Sequence, residues 1–339
     1  MGNCLSATAA NCCMTSTLAC FACTQGGISK LQNKFAFFPP SPPTYSFDSG
    51  DQVKWNVEEL ARLAGSVLDT MAVDVTTRRL TVGKQQKDLH QMAFFHFAPR
   101  DPPPAGRRRL TMLWSHGNAM DAGELFHFHA KLAVSLGVNI ATYDYSGYGA
   151  SSGKPSEHAL YANVEAAYEH LCSPEAFGVQ PAEELVVYGQ SVGSGPSVYL
   201  CARKPVRALL LHSGIASGIR VIAPDWSNLC SPVNVFGCFD IFPNVGRLRQ
   251  LTCPVLLIHG TDDEVVHWRN SAEMHRVLAV SGKSPAVRPP LYVRGAGHND
   301  VVEVDPELYM RTLAEFFEEL QLGHGHSTHE SSTTRVSYT

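Results

Sequence analysis

Short, largely apolar runs recur along the chain, separated by longer stretches in which apolar residues return every third or fourth position. Residues 110–115, 138–143, 185–188, 208–211, 255–258 and 291–293 form the runs. They show no apolar–polar alternation, the pattern of strands buried on both faces. Residues 157–171, 193–202, 268–280 and 306–322 carry the helical spacing between and after them. Strands alternating with amphipathic helices predict a single α/β domain with a mostly parallel central sheet and helices on both faces. The pattern divides the chain into a cysteine-rich segment 1–30, a proline-rich arm 31–50, a folded domain 51–322 and a polar tail 323–339.

Composition agrees with a globular domain. With 339 residues, 44% hydrophobic, 17% charged and a net charge of −4, the chain can bury a core of ordinary size. Collagen-like, mostly disordered and strongly basic nucleic-acid-binding chains are excluded. The first thirty residues obey different rules. Five of the ten cysteines, Cys4, Cys12, Cys13, Cys20 and Cys23, fall there, and no charged residue precedes Lys30, where average composition predicts about five.

A secretory signal requires an early basic region that is missing here, and Asn3, Asn11, Thr15, Ser16 and Thr17 dilute the stretch too far for a membrane span. Cys20 and Cys23 have zinc-like spacing, but no matching pair or nearby histidine completes a site. Gly2 with Ser6 fits N-myristoylation, and Cys4 beside them is an S-palmitoylation candidate. One myristoyl chain holds a membrane only marginally, with K on the order of 10⁴ M⁻¹, so stable anchoring needs further chains. Cys12, Cys13, Cys20 and Cys23 offer them. Thioester acylation of free thiols predicts a peripheral protein on the cytosolic face of a membrane; the alternative is a cysteine-rich tail without lipid.

Next comes an arm, Phe35, Phe37 and Phe38 followed by Pro39, Pro40, Pro42 and Pro43, which reads as a linker or a strap along the domain surface. Arg107, Arg108 and Arg109 form a solvated strand entrance. His324, His326 and His329 belong to the solvated tail rather than to a metal site. No metal or cofactor is expected.

Candidate chemistry begins at Gly189-Gln190-Ser191-Val192-Gly193, between a predicted strand and a predicted helix. Small residues on either side of a serine permit the sharp turn of a nucleophile elbow. A serine needs a general base and a group to orient it, and in this topology the acid precedes the histidine. The strand at 255–258 runs into Asp262, Asp263 and Glu264, and that at 291–293 runs into Gly295-Ala296-Gly297-His298. Ser191, Asp263 and His298 are therefore the expected triad, with Asp262 the second choice of acid. His116-Gly117-Asn118 ends an early strand, so the backbone N–H groups of Asn118 and Val192 are the expected oxyanion donors, with Ala119 an alternative to Asn118.

These residues, with Tyr143-Asp144-Tyr145-Ser146-Gly147-Tyr148-Gly149 and the cysteines joined to the arm, resemble the α/β-hydrolase superfamily and, within it, the ABHD17-type depalmitoylases. The resemblance implies hydrolysis of S-palmitoyl thioesters on membrane-associated proteins by an enzyme held at plasma or endosomal membranes through its own acyl chains. The Gly2/Ser6 signal and Val192-Gly193-Ser194-Gly195-Pro196 depart from the usual pattern. S-acylated membrane proteins and membrane lipid are the expected partners, without nucleic acid, and a monomer is expected. A carboxylesterase or lysolipid hydrolase would use the same triad, and a non-catalytic membrane adaptor could share the fold. Trp226, Phe236, Phe239 and Phe242 either line an acyl groove or pack into the core.

Overall fold

A computed structural model of the protein describes residues 36–50, 52–83, 89–222, 240–285 and 287–322. The lipidation candidates Gly2, Cys4, Cys12, Cys13, Cys20 and Cys23 lie outside the described residues, as do Trp226, Phe236, Phe239 and the tail histidines.

Among the described residues, ten strands form two sheets. A small hairpin, β1 (Tyr45–Phe47) and β2 (Val53–Trp55), precedes the central sheet. The central strands are β3 (Val73–Val82), β4 (His90–Pro99), β5 (Thr111–Ser115), β6 (Asn139–Tyr143), β7 (Leu185–Gln190), β8 (Ala208–His212), β9 (Val255–Gly260) and β10 (Leu291–Val293). Their spatial order is β10-β9-β8-β7-β5-β6-β4-β3. From β10 to β6 all neighbours are parallel, and β4 and β3 add an antiparallel edge. Every apolar run predicted as a strand is one, to within two residues at either end.

The apolar pattern does not mark the longest strands, β3 and β4, or the short hairpin β1–β2. β3 reads VDVTTRRLTV and lies at the sheet edge, where one flank faces solvent and polar residues are tolerated. Its pairing across ten residues with β4 supplies the order that hydrophobicity does not.

Among the described residues, six longer helices cover the sheet. On one face lie α1 (Glu58–Thr70), α2 (Phe126–Leu136) and α6 (Pro306–Leu322), and on the other α3 (Glu157–Cys172), α4 (Ser194–Cys201) and α5 (Arg269–Ser281). Alternate strand residues divide between the two cores, as the pleat requires. Met112, Trp114, Val186 and Tyr188 point to the first face, and Leu113, Leu185 and Val187 to the second. Burying one such side chain contributes about 1.5–3 kcal/mol, and the central strands bury nearly all of theirs. Trp114 and Tyr188, direct partners on β5 and β7, stack with centroids 3.5 Å apart. That stack fixes the two strands immediately before the loops that carry Asn118 and Ser191.

The arm is not a surface strap. Phe37, Thr44 and Tyr45 are buried. Phe37 packs edge-on against Phe242 at 6.1 Å, and Thr44 and Tyr45 hydrogen-bond the carboxylates of Asp121 and Asp144. Local sequence shows prolines and aromatics but not their partners, which lie some 80 to 200 positions away.

Candidate active site

β7 turns directly into a 3₁₀ turn, Ser191–Gly193, and then into α4. The turn is sharp enough to hold Ser191 at φ +51°, a left-handed conformation costing a non-glycine residue about 1–3 kcal/mol. Its two flanking glycines are required by space. A Cβ on Gly189 would stand 2.6 Å from Ser197 Oγ and 2.7 Å from Gly193 O, and one on Gly193 would overlap Ser115 O and stand 2.7 Å from His116 O. Ser194 locks the turn from within, donating to Ser191 O at 2.6 Å and accepting the Ile215 N–H at 3.0 Å.

Because β5, β7, β9 and β10 are parallel, their carboxyl ends open on one edge of the sheet, and residues far apart in sequence meet there. His298 Nε2 lies 2.9 Å from Ser191 Oγ, and His298 Nδ1 lies 2.7 Å from Asp263 Oδ2. Asp262, one residue earlier, instead accepts from the Thr261 hydroxyl on the surface. The two loops are laced together by Thr261 N–H to Val293 O at 3.0 Å, Asp262 N–H to Ala296 O at 2.9 Å and Gly295 N–H to Thr261 Oγ1 at 2.9 Å.

Asp263 is buried, and burial by itself would raise its pKa. Hydrogen bonds from His259 and His298, the charge of His298 and the Val266 N–H oppose it and hold the carboxyl well below the usual carboxylate range. Its Oδ1 accepts the backbone N–H groups of Val265 at 3.0 Å and Val266 at 2.7 Å. The carboxylate is thereby fixed in orientation as well as in charge.

His259 was not marked by sequence. It is fully buried at the end of β9, with Nε2 2.6 Å from Val266 O and 3.2 Å from Asp263 Oδ2, and Nδ1 2.7 Å from Ser271 Oγ. Only its place before the acidic loop could have hinted at this.

Across from Ser191, Asn118 directs its side chain away from chemistry. Its Nδ2 donates to Ala36 O at 2.9 Å, while Oδ1 accepts from the Tyr148 hydroxyl at 2.7 Å and the Phe38 N–H at 3.0 Å. Oδ1 also lies 3.2 Å from the Ala119 N–H. Of the two N–H groups weighed for this loop, that of Ala119 is occupied. The Asn118 N–H meets no protein acceptor among the described residues. The Val192 N–H opens a helical turn, where donors precede the first intrahelical acceptor.

A cavity of about 670 Å³ opens on these groups. Ser191, His298, Asn118 and Val192 occupy one wall, and Ile215, Ile219, Ile241 and Phe242 make the rest strongly apolar. Ala36 and Phe38 of the arm also line it, a contribution that the aromatic run did not disclose. Of the aromatics considered for an acyl groove, Phe242 both lines the cavity and packs in the core.

Among the described residues, no group of His, Cys, Asp and Glu is arranged to hold a metal ion, and no helix is long and apolar enough to cross a membrane. A base-linked serine beside two backbone donors and an apolar cavity can carry out acyl transfer to water.

No family model matches the chain. Among curated proteins it is 38% identical over 301 residues to human alpha/beta hydrolase domain-containing protein 17B, covering 88% of this chain and 93% of that protein. It is 42% identical to the 17C protein of Xenopus tropicalis, covering 84% of this chain and 87% of the relative. Among solved structures, the Pf2001 esterase of Pyrococcus furiosus superposes with a TM-score of 0.55 at 16% identity, covering 78% of this chain and 95% of that one. Pyrococcus horikoshii acylaminoacyl peptidase gives 0.53 at 14%, covering 78% and 45%. The solved structures share the fold, whereas identity along nearly the whole length of the curated relatives places this chain in the alpha/beta hydrolase domain-containing protein 17 family.

Proposed function

We propose that the protein is a membrane-anchored serine hydrolase that removes long acyl chains from cysteine thiols of membrane-associated proteins. The observation that carries the proposal is the apolar cavity opening on Ser191. Each methylene buried there contributes about 0.8 kcal/mol, so a long chain is favoured over an acetyl group. The early cysteines and Gly2 would hold the enzyme at the cytosolic face of plasma or endosomal membranes, where its substrates reside.

In the cycle, Ser191 Oγ attacks the thioester carbonyl carbon while His298 Nε2 takes the hydroxyl proton. Asp263 keeps the imidazole oriented and stabilises its charge. The Asn118 and Val192 N–H groups receive the tetrahedral oxyanion. Its collapse breaks the C–S bond, and His298 returns the proton to the departing thiolate. His298 then deprotonates water, which attacks the acyl-enzyme, releasing the fatty acid and restoring Ser191.

The test compares hydrolysis of an S-palmitoylated peptide with that of the matching oxygen ester, using Ser191→Ala as the control. Thioester turnover that vanishes in the variant is expected. Marked preference for the oxygen ester would replace this reading with a carboxylesterase or lysolipid hydrolase. Failure of a fluorophosphonate probe to label Ser191 would instead indicate a non-catalytic adaptor. For the anchor, Gly2→Ala combined with serine at Cys4, Cys12, Cys13, Cys20 and Cys23 is expected to move the protein to the soluble fraction. Retention on membranes would show that another element holds it.

A further inference from the structure

His116 lies directly before the peptide that offers the Asn118 N–H, and its side chain is fully buried beneath the loop. Its Nδ1 stands 2.8 Å from Gly117 O. A carbonyl oxygen has no hydrogen to give, so the proton in this bond belongs to Nδ1. The Gly117 carbonyl and the Asn118 N–H are two ends of one planar peptide unit, and in a trans peptide they point in opposite directions. A ring that pulls the carbonyl toward the interior therefore turns the N–H outward, and both Gly117 and Asn118 line the cavity on that side.

The ring is closely surrounded. Asp144 Oδ1 lies 3.2 Å from Nε2, which makes no hydrogen bond among the described residues. Asp144 is fixed by the Ala122 N–H at 2.8 Å and by the Tyr45 hydroxyl. Tyr145 packs over the imidazole with centroids 4.1 Å apart, and its hydroxyl donates to His116 O at 2.5 Å; the Tyr148 ring lies at 5.6 Å. Glu124, in the segment leading into α2, and His129 of α2 also face the ring, and burial pushes the pKa of His129 down to about 3.

We infer that His116 is a positioning residue for the oxyanion site: its Nδ1–H holds the Gly117–Asn118 peptide so that the Asn118 N–H faces the reacting carbonyl. The hydrogen bond also polarises that peptide, which strengthens the donor at its other end. This deepens the acyl-transfer reading above and rests on it for its consequence, although the geometry stands apart from turnover.

Two measurements test it. Nitrogen-15 NMR of the wild-type protein, with His116 assigned by substitution, should find the proton on Nδ1 at neutral pH. A ring protonated on Nε2 alone would overturn the proposal, whether or not the protein is a hydrolase. The second follows a short-chain p-nitrophenyl ester. His116→Leu is expected to lower kcat by about 10²–10³-fold, the loss seen when an oxyanion donor is removed, with KM little changed. Affinity for an alkyl trifluoromethyl ketone, which forms a tetrahedral adduct, should fall in parallel, while that for an uncleavable thioether analogue should hold. His116→Asn, which keeps an N–H near the position of Nδ1, should recover at least tenfold of the loss. Equal losses in ketone and thioether affinity, or no recovery with asparagine, would reduce His116 to an ordinary packing residue.

Discussion

The Asp263 carboxylate receives hydrogen bonds from two backbone N–H groups and from His298, with His259 beside it, whereas the carboxylate of its neighbour Asp262 accepts from the adjacent Thr261 hydroxyl. Adjacent carboxylates of equal intrinsic chemistry are thus separated by the fold into an orienting group and a surface group. Asp263→Asn is expected to lower kcat by about 10⁴-fold, because the amide favours the wrong imidazole tautomer. Asp262→Asn should leave kcat within a few-fold of wild type. Steady-state kinetics on one activated ester compares the two directly. His259→Leu strands Val266 O and the Ser271 hydroxyl in the interior, and each buried group left unpaired costs about 1–3 kcal/mol. Urea denaturation should register that loss even with activity at saturation.

Between elements, a tight constraint at the site is the approach of the nucleophile turn to the end of β5, where Gly193 leaves no room for a methyl group beside Ser115 O and His116 O. Gly193→Ala must separate the two strand ends that carry the nucleophile and the oxyanion loop. A destabilisation of about 1–3 kcal/mol or more is expected from such overpacking. Activity should fall further than the unfolded fraction explains, as measured by active-site titration against circular dichroism. The arm is joined to the same region by Thr44 on Asp121 and Tyr45 on Asp144. Tyr45→Phe leaves Asp144 short of a donor in the interior and should lower stability by about 1–3 kcal/mol by the same urea measurement.

At the scale of the whole molecule, three of the buried histidines among the described residues, His96, His129 and His212, set a limit on acid tolerance. Burial pushes His96 down to about 4, and His129 and His212 to about 3. In the unfolded chain each protonates near 6.5. Below that pH the unfolded state binds protons that the folded state refuses, so stability is fully present above about pH 6.5 and falls as pH drops toward the folded values. Each histidine contributes a slope of about 1.4 kcal/mol per pH unit within its window. Asp263, with its lowered pKa, adds a loss only further down, below about pH 3.9. Thermal melts at pH 7, 6 and 5 should show the midpoint dropping progressively. A midpoint unchanged at pH 5 would contradict the burial of these neutral rings.

The interior parallel strands, β5 to β9, were legible from local sequence because both their flanks and both their faces are covered, which leaves largely apolar runs. The elbow was legible because its glycines and serine are adjacent. The order of strand, acid, strand and histidine marks the acidic loop at Asp262, Asp263 and Glu264 and, after it, His298. Of the antiparallel pair, β3 was hidden because an edge strand tolerates polar residues, whereas β4 lies inside the sheet between β6 and β3 and its buried stretch carries no such excuse. Helix α2 was hidden because FHFHAKLAVSL has no clean polar face. Choosing Asp263 over Asp262, assigning His259 and His116 their partners, and inserting Phe37 and Tyr45 into the body of the domain all depended on contacts between residues distant in the chain. Sequence by itself determined which chemical groups the protein owns and the order in which they are presented. Only tertiary structure decided which of them share a hydrogen bond, because that depends on sheet order and on peptide orientation, neither of which leaves a local periodic trace.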